Sequence, residues 1–523
     1  MAEDSSTRSD AAQISAHLDF RRDVLANRKL ILASNRGPVD YVLGEHGDLE
    51  PRRAAGGVVS ALGALCRNTA VTWLSAAMSG DDRLAASRPD LPRPSFLPPS
   101  LDHKFVAVPE EVLHRHYNVF SNPILWFIHH YLWNAAYGPR IDEEAHRAYK
   151  EGYVVVNRAV AEALAPLAAR GPGGLTPFTL LQDYQLYLVP GFLRERCPEA
   201  ILSHFIHTPW PAPSYWLLIP QYMRQAIVHS LCHADVLGFQ TQEFARNFLN
   251  TCEDFLDGAR IDYHNRMVRY RGHTVRIKVY PISVDVGELR RVAFSPECEK
   301  YVAKLRQVCG QRNIVRVDRL ELSKNIVRGF EAYCSLLERR PDLIGQVKFL
   351  AFLVPSRSEI PEYQRYQERV FKLVDEANDR FGKPGWKPIE VYYENNLLQA
   401  IAGMRLADVY LANSVLDGMN LVSKESVIVS EKNSVLILSE ATGAHYQLGR
   451  HALTVSPGDV EETSHALERA LEMPMIERLA QSRSLRRSVE SEDLDWWVDE
   501  QLHDLRQIAQ EREQAARRSS VIA

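Results

Sequence analysis

Arg319 and Lys324 bracket the run Arg-Leu-Glu-Leu-Ser-Lys, and further along residues 417–425 read Asp-Gly-Met-Asn-Leu-Val-Ser-Lys-Glu. These residue types, at a predicted strand end and a predicted helix start, can hold a nucleotide diphosphate. Arg319 offers a planar fork and Lys324 a point charge for phosphate oxygens. Gly418 lets backbone approach an anion where the N–H groups of a helix start point outward. Glu425, one turn into that helix, is within reach of a ribose diol. Either piece alone also reads as a surface ion pair or a helix cap; the two together, in this order, favour the diphosphate.

Other candidates follow predicted strands. Ser34-Asn35-Arg36-Gly37-Pro38 closes the first one, so Arg36 can reach an anionic group. Gly56-Gly57 before a helix can approach phosphate, or simply make a tight turn. Tyr117 and Trp126 lie in an aromatic stretch that suits the C–H face of a sugar ring, or core packing. Asp183 and His207 each follow a strand, as does Arg357, whose plainer role is that of a solvated loop arginine.

Metal-assisted transfer of a nucleotide-activated group would call for an acidic cluster at a strand end. The Asp-x-Asp at 493–495 lies ahead of the last helical stretch and reads as helix-start acids. No metal and no cofactor is expected; Arg319 and Lys324 can stabilise a departing diphosphate themselves.

The elements that must position these groups alternate. Short apolar runs at 30–33, 71–74, 178–181, 201–206 and 236–239 form one series, and runs at 314–317, 347–352, 389–392, 409–411 and 435–438 form a second. Helical patterns at 143–169, 363–381 and 396–406 lie between them. The alternation predicts parallel sheets built from βαβ units. A hairpin-like segment at 261–278 and a proline-bearing connection at 279–286 separate the two series.

The expectation is an α/β protein with two doubly wound domains facing a central cleft, where ligands bind in this class. They would span 29–280 and 281–480. A terminal helix over 481–509 would pack back on the first domain, between a disordered extension at 1–28 and a flexible tail at 510–523.

With 523 residues, 46% apolar, the chain is long enough for several cores. A formal charge of −4 gives no support for nucleic-acid or membrane-surface partners. Seven scattered cysteines without a Cys-x-x-Cys pair fit reduced thiols in a cytoplasmic enzyme. Homo-oligomerisation stays open.

In order and spacing these motifs resemble the trehalose-6-phosphate synthase family of retaining glycosyltransferases, over about residues 30–505. The resemblance implies the GT-B architecture and transfer of glucose from a nucleotide-diphosphate glucose to glucose 6-phosphate, giving α,α-trehalose 6-phosphate. It implies donor diphosphate on Arg319 and Lys324, donor glucose on Asp417 and His207, donor backbone contacts through Gly418, Met419, Asn420 and Leu421, and ribose on Glu425. Gly57 matches a glycine of the family's donor loop. Arg36, Tyr117, Trp126, Asp183 and Arg357 match the acceptor pocket.

Departures stand beside the match. An acceptor-side tryptophan of the family is replaced, by Ala76 in Trp-Leu-Ser-Ala-Ala at 73–77, and Leu322 and Asn325 stand where the family has Tyr and Gly. The donor base, uridine, guanosine or adenosine, is open. So are another phosphorylated acceptor, such as glycerol 3-phosphate or an aminocyclitol phosphate, and a sugar-phosphate sensor.

Overall fold

The computed structural model describes residues 17–54, 57–66, 69–136, 138–171 and 174–522. The chain divides into two compact units. One holds the residues up to Tyr280 and those from Asp495 on; the other is Pro281–Leu494.

Among its described residues the first unit carries a nine-stranded sheet. Its order is Leu101–Val106, Val71–Ala76, Leu30–Ser34, Phe178–Gln182, Ile201–Phe205, Val236–Phe239, His273–Val279, Met267–Tyr270 and Arg260–Asp262. The first seven of these run parallel, and the last two close the sheet as antiparallel strands. Leu30–Ser34, Phe178–Gln182 and Ile201–Phe205 are buried at every residue. Helices on both faces require unbroken apolar runs of this kind, which is why these strands are readable as such. The edge strand Leu101–Val106 is different. It puts Asp102 and Lys104 outward, which discourages pairing with another chain and also hides the strand from a search for apolar runs.

The second unit holds, among its described residues, a six-stranded parallel sheet. Its order is Ile389–Tyr393, Val347–Val354, Arg312–Arg319, Val409–Ala412, Val435–Ser439 and Leu453–Val455. Numbered along the chain this is 3-2-1-4-5-6, the doubly wound order in which connections leave the first strand in opposite directions. The helix Ile326–Arg339 lays Ile326, Phe330, Tyr333 and Leu337 onto the sheet against Phe349 and Ile314. Side chains of this size contribute about 1.5–3 kcal/mol each when fully buried, before the ordering entropy is charged.

Several expectations need correction. Within the supposed N-terminal extension, residues 17–25 are helical, and Arg21 pairs with Asp499 at 2.5 Å and Asp495 at 2.8 Å; residues 1–16 lie outside the described residues. The terminal helical region is two helices, Met475–Ser491 in the second unit and Leu494–Ile522. The latter runs through the supposed flexible tail, because Glu511 and Arg512 find partners in Arg276 and Asp235 of the first unit. The helical pattern at 143–169 is real but contains a π-helical turn at Ala148–Tyr153. Among the described residues, no helix is long and apolar enough to cross a membrane. Among the described residues, which include all seven cysteines, there is no disulfide.

Candidate active site

In the second unit the switch point lies between Arg312–Arg319 and Val409–Ala412, which pair directly. Open α/β sheets bind ligands beyond the carboxyl ends of such strands. Arg319 is the last residue of the first of them, and Lys324 ends the short 3₁₀ turn that follows. The turn after the second delivers Asp417 to Asn420 and then the helix Leu421–Val429.

Two positive groups and two negative ones meet here. The Lys324 ammonium bonds to Oδ2 of Asp417. Burial opposes the charged lysine, yet the carboxylates of Asp417, Asp318 and Glu321 outweigh it and its pKa rises. Lys324 therefore stays cationic through the neutral range. Arg319 pairs with Glu321 at 2.8 Å while its own side chain remains 46% exposed.

Backbone geometry holds this arrangement. Asn325, just after Lys324, has φ of 57°, and its side chain donates to the carbonyls of Asn413 (2.9 Å) and Pro457 (2.7 Å). Asparagine is among the few residues that tolerate this left-handed region. Beneath it, fully buried Arg316 grips Asp318 at 2.8 and 3.0 Å and donates to the Lys324 carbonyl at 2.8 Å.

Asn420 is left-handed too, with φ of 73°, and caps the helix by accepting from the Ser423 N–H while donating to Asp417 Oδ2 at 3.1 Å. The earlier N–H groups of that first turn are directed out of the helix end, as an anion requires. The Asp417–Met419 loop is stitched to the chain opposite, Gly443 N–H donating to Asp417 O (3.0 Å) and Ala444 N–H to Met419 O (2.7 Å). A Cβ on Gly443 would stand 1.9 Å from the Gly418 carbonyl oxygen, so only glycine permits this approach.

Glu425 is half-buried one turn along the same helix, and burial pushes its carboxyl up to about 7. Its neighbour Lys424 is buried and donates to the Ile282 carbonyl at 2.8 Å; burial lowers it to about 7 against the pull of Glu492. Arg357 follows Val347–Val354 with φ of 45° and reaches Glu321 at 2.6 Å and the Tyr363 hydroxyl at 3.0 Å.

The first unit repeats the logic. Its switch point lies between Leu30–Ser34 and Phe178–Gln182. Arg36 is exposed two residues beyond the first of these, on a loop pinned by the Ser34 hydroxyl donating to its carbonyl at 2.7 Å. Asp183 directly follows the second with φ of 68° and accepts from the His207 N–H at 3.2 Å. His207 Nε2 lies 2.8 Å from the side-chain amide of Gln182, at Oε1. Burial holds this imidazole neutral, with its pKa down at about 3.

Tyr117 and Trp126 sit on one π-helix, Arg115–Trp126, and Trp126 stacks on His130 with ring centroids 3.9 Å apart. Gly57 is the first residue of the helix Gly57–Cys66; its companion Gly56 lies outside the described residues. Ala76 is buried at the carboxyl end of its strand and donates its N–H to the Asn35 carbonyl at 3.2 Å.

The structure thus gathers Arg319, Lys324, Arg357 and Asp417 in one unit, and Asp183 with His207 in the other. It also supplies residues to which the sequence reading gave no role: Glu321, Arg316, Asp318, Gln182 and Gly443. A signal existed for one pair, since Arg316 and Asp318 are oppositely charged residues two apart, hence on the same face, of one strand. Among the described residues, no group of three or more His, Cys, Asp or Glu side chains could hold a metal ion.

The fold and these two switch points define a two-domain α/β glycosyltransferase of the GT-B class. The chain belongs to glycosyltransferase family 20, whose model matches residues 28–507. It is 31% identical over 503 residues to the UDP-forming α,α-trehalose-phosphate synthase of Botryotinia fuckeliana, covering 95% of this chain and 91% of that protein. It is similar to the solved UDP-forming α,α-trehalose-phosphate synthase of Burkholderia vietnamiensis, with a TM-score of 0.79 and 28% identity, over 92% of this chain and 97% of the other. It also matches the Burkholderia xenovorans enzyme in complex with glucose 6-phosphate, with a TM-score of 0.78, 28% identity and coverage of 91% and 99%.

Proposed function

We propose that the protein transfers glucose from a nucleotide-diphosphate glucose, with UDP as the nucleotide, to glucose 6-phosphate, forming α,α-trehalose 6-phosphate with retention. The observation that carries this reading is the Lys324–Asp417 pair beside Arg319 at the second unit's switch point. Two cations and a carboxylate gathered at one switch point support a diphosphate and sugar hydroxyls as their ligands. The UDP-forming relatives support the choice of nucleotide.

In this reading the donor diphosphate lies against Arg319, Lys324 and the helix end at Leu421, and Glu425 takes the ribose diol. Asp417 takes hydroxyls of the glucose, and His207, held neutral, can serve the donor sugar as a hydrogen-bonding partner rather than as a charge. As the bond from glucose C1 to the diphosphate oxygen breaks, negative charge grows on that oxygen, where Arg319 and Lys324 are already fixed to receive it. The acceptor's anomeric oxygen bonds to C1 on the same face, and its proton passes to the departing diphosphate. Arg36, Tyr117, Trp126, Asp183 and Arg357 hold the acceptor, the arginines at its phosphate.

A second reading keeps the donor and changes the acceptor. Ala76 favours it, because a small buried residue stands at a strand end where a large ring would shape the acceptor pocket. The test is nucleotide release across UDP-, GDP- and ADP-glucose with glucose 6-phosphate, glycerol 3-phosphate and an aminocyclitol phosphate. The product's anomeric linkage is read by NMR. Transfer to glucose 6-phosphate is expected; transfer only to one of the others would replace the first reading with the second.

A further inference from the structure

Glu321 lies between Arg319 and Lys324, takes no part in the chemistry above, and has no exposed surface at all. Its two carboxylate oxygens go to different arginines. Oε1 stands 2.8 Å from Nη2 of Arg319, and Oε2 accepts from Nη1 of Arg357 at 2.6 Å. The Tyr363 hydroxyl sits in the same knot, accepting from Arg357 Nη1 at 3.0 Å and lying 3.5 Å from Glu321 Oε2. Tyr363 is itself buried, and the Arg357 guanidinium carbon lies 5.6 Å from the centre of its ring.

A carboxylate taken fully out of water is costly unless it is paired, so Glu321 holds both guanidiniums rather than merely meeting them. The two arginines differ in freedom. Arg357 is nearly buried, on a residue with left-handed backbone, whereas Arg319 is about half exposed and keeps much of its rotamer entropy. A guanidinium has five N–H donors in a fixed fork, enough to hold a carboxylate and a phosphate together.

We propose that Glu321 is a positioning residue that couples the two phosphate sites, so that donor-diphosphate binding and acceptor-phosphate binding strengthen one another. This rests on the reading above, in which Arg319 serves the donor diphosphate and Arg357 the acceptor phosphate. The first phosphate to arrive fixes its arginine, and through the shared carboxylate it fixes the other; the second phosphate then meets an arginine already ordered. Cooperativity of this kind needs no large movement, and it must be reciprocal.

The test is calorimetric. The Kd of glucose 6-phosphate is measured with and without saturating UDP, and the Kd of UDP with and without saturating glucose 6-phosphate. Wild type, Glu321→Gln and Tyr363→Phe are compared. In the wild-type protein each ligand is expected to tighten the other by about fivefold or more, the lower end of ordinary coupling. In Glu321→Gln both ligands still bind, more weakly, and the coupling factor falls to near one. A purely structural role would weaken each ligand and leave the factor unchanged.

Wild-type binding of both ligands without coupling, or wild-type coupling retained in Glu321→Gln, would overturn the proposal alone. Failure of UDP or glucose 6-phosphate to bind the wild-type protein would overturn the functional reading and the proposal with it. Should Glu321→Gln not fold, Tyr363→Phe decides. A coupling factor reduced at least twofold supports the clamp, and an unchanged factor refutes it.

Discussion

Lys324 and Asp417 are 93 residues apart in sequence and directly bonded through Nζ and Oδ2, so the two halves of the proposed donor site neutralise one another. The pair carries both a structural and a chemical burden, and the two can be separated. Lys324→Ala leaves a largely buried carboxylate without its cation, which costs about 3 kcal/mol or more of stability. It also lowers kcat/KM at least about a hundredfold, as loss of one donor to a developing oxyanion does. In Lys324→Ala/Asp417→Ala the thermal midpoint should recover toward wild type while activity does not. Additive losses in both readouts would show the residues to be independent.

Arg36→Lys and Arg357→Lys test the acceptor phosphate. Lysine keeps the charge and loses the fork. Each should raise the KM for glucose 6-phosphate about tenfold or more, the worth of one charged hydrogen bond, while moving the donor KM much less. Equal effects on both substrates would remove these arginines from the acceptor site.

Gly443→Ala tests the backbone of the Asp417–Met419 loop, which is proposed to face the donor. Its methyl would have to displace the Gly418 carbonyl, which is main chain and cannot swing aside. A destabilisation of about 1–3 kcal/mol is expected, the usual cost of overpacking. The donor KM should rise with it, and near-wild-type donor kinetics would show that the Asp417–Met419 loop does not contact the donor.

Lys424 and Glu425 give a pH signature. Glu425 is harder to ionise in the folded chain, so its unfavourable contribution grows as pH rises from the ordinary carboxylate range to about 7 and persists above. Lys424 is harder to protonate, so its unfavourable contribution is full below about 7 and fades as pH climbs toward the ordinary lysine range. The two overlap most near pH 7. The gain in thermal midpoint from Lys424→Met/Glu425→Gln should therefore be greatest there and shrink toward pH 4.5 on one side and about 10, near the ordinary lysine pKa, on the other. A difference flat across that range would contradict both shifts.

Much of this site was legible without coordinates, for a physical reason. Parallel strands covered on both faces must be apolar throughout, so Arg319, Asp183 and His207 could be placed at strand ends from the runs alone. Leu101–Val106 escaped because an edge strand is polar on one side, and the hairpin Val39–Leu43 with Leu49–Arg53 escaped because its second strand is almost wholly exposed. The π-helix carrying Tyr117 and Trp126 follows no 3.6-residue period and contains Pro123. Glu321 was visible as a letter between two cations, but its role depends on Arg357 returning from the neighbouring strand. Partners such as Arg21 and Asp499 lie too far apart in the chain for any local pattern to join them.

The helix Leu494–Ile522 has a consequence for how the protein is made. Its Trp497 packs edge-on against Phe205 with centroids 5.1 Å apart and lies 6.2 Å from the His207 ring, while Asp504 ties down Lys278 and Tyr280. A ribosome reading this message emits the whole of Pro281–Leu494 before the packing around His207 can be finished. The first unit must then wait, its nascent sheet lacking one layer, until the helix Leu494–Ile522 has been translated. Termination between Leu494 and Trp497 would release a chain in which the later-made unit is whole and the earlier-made one is not.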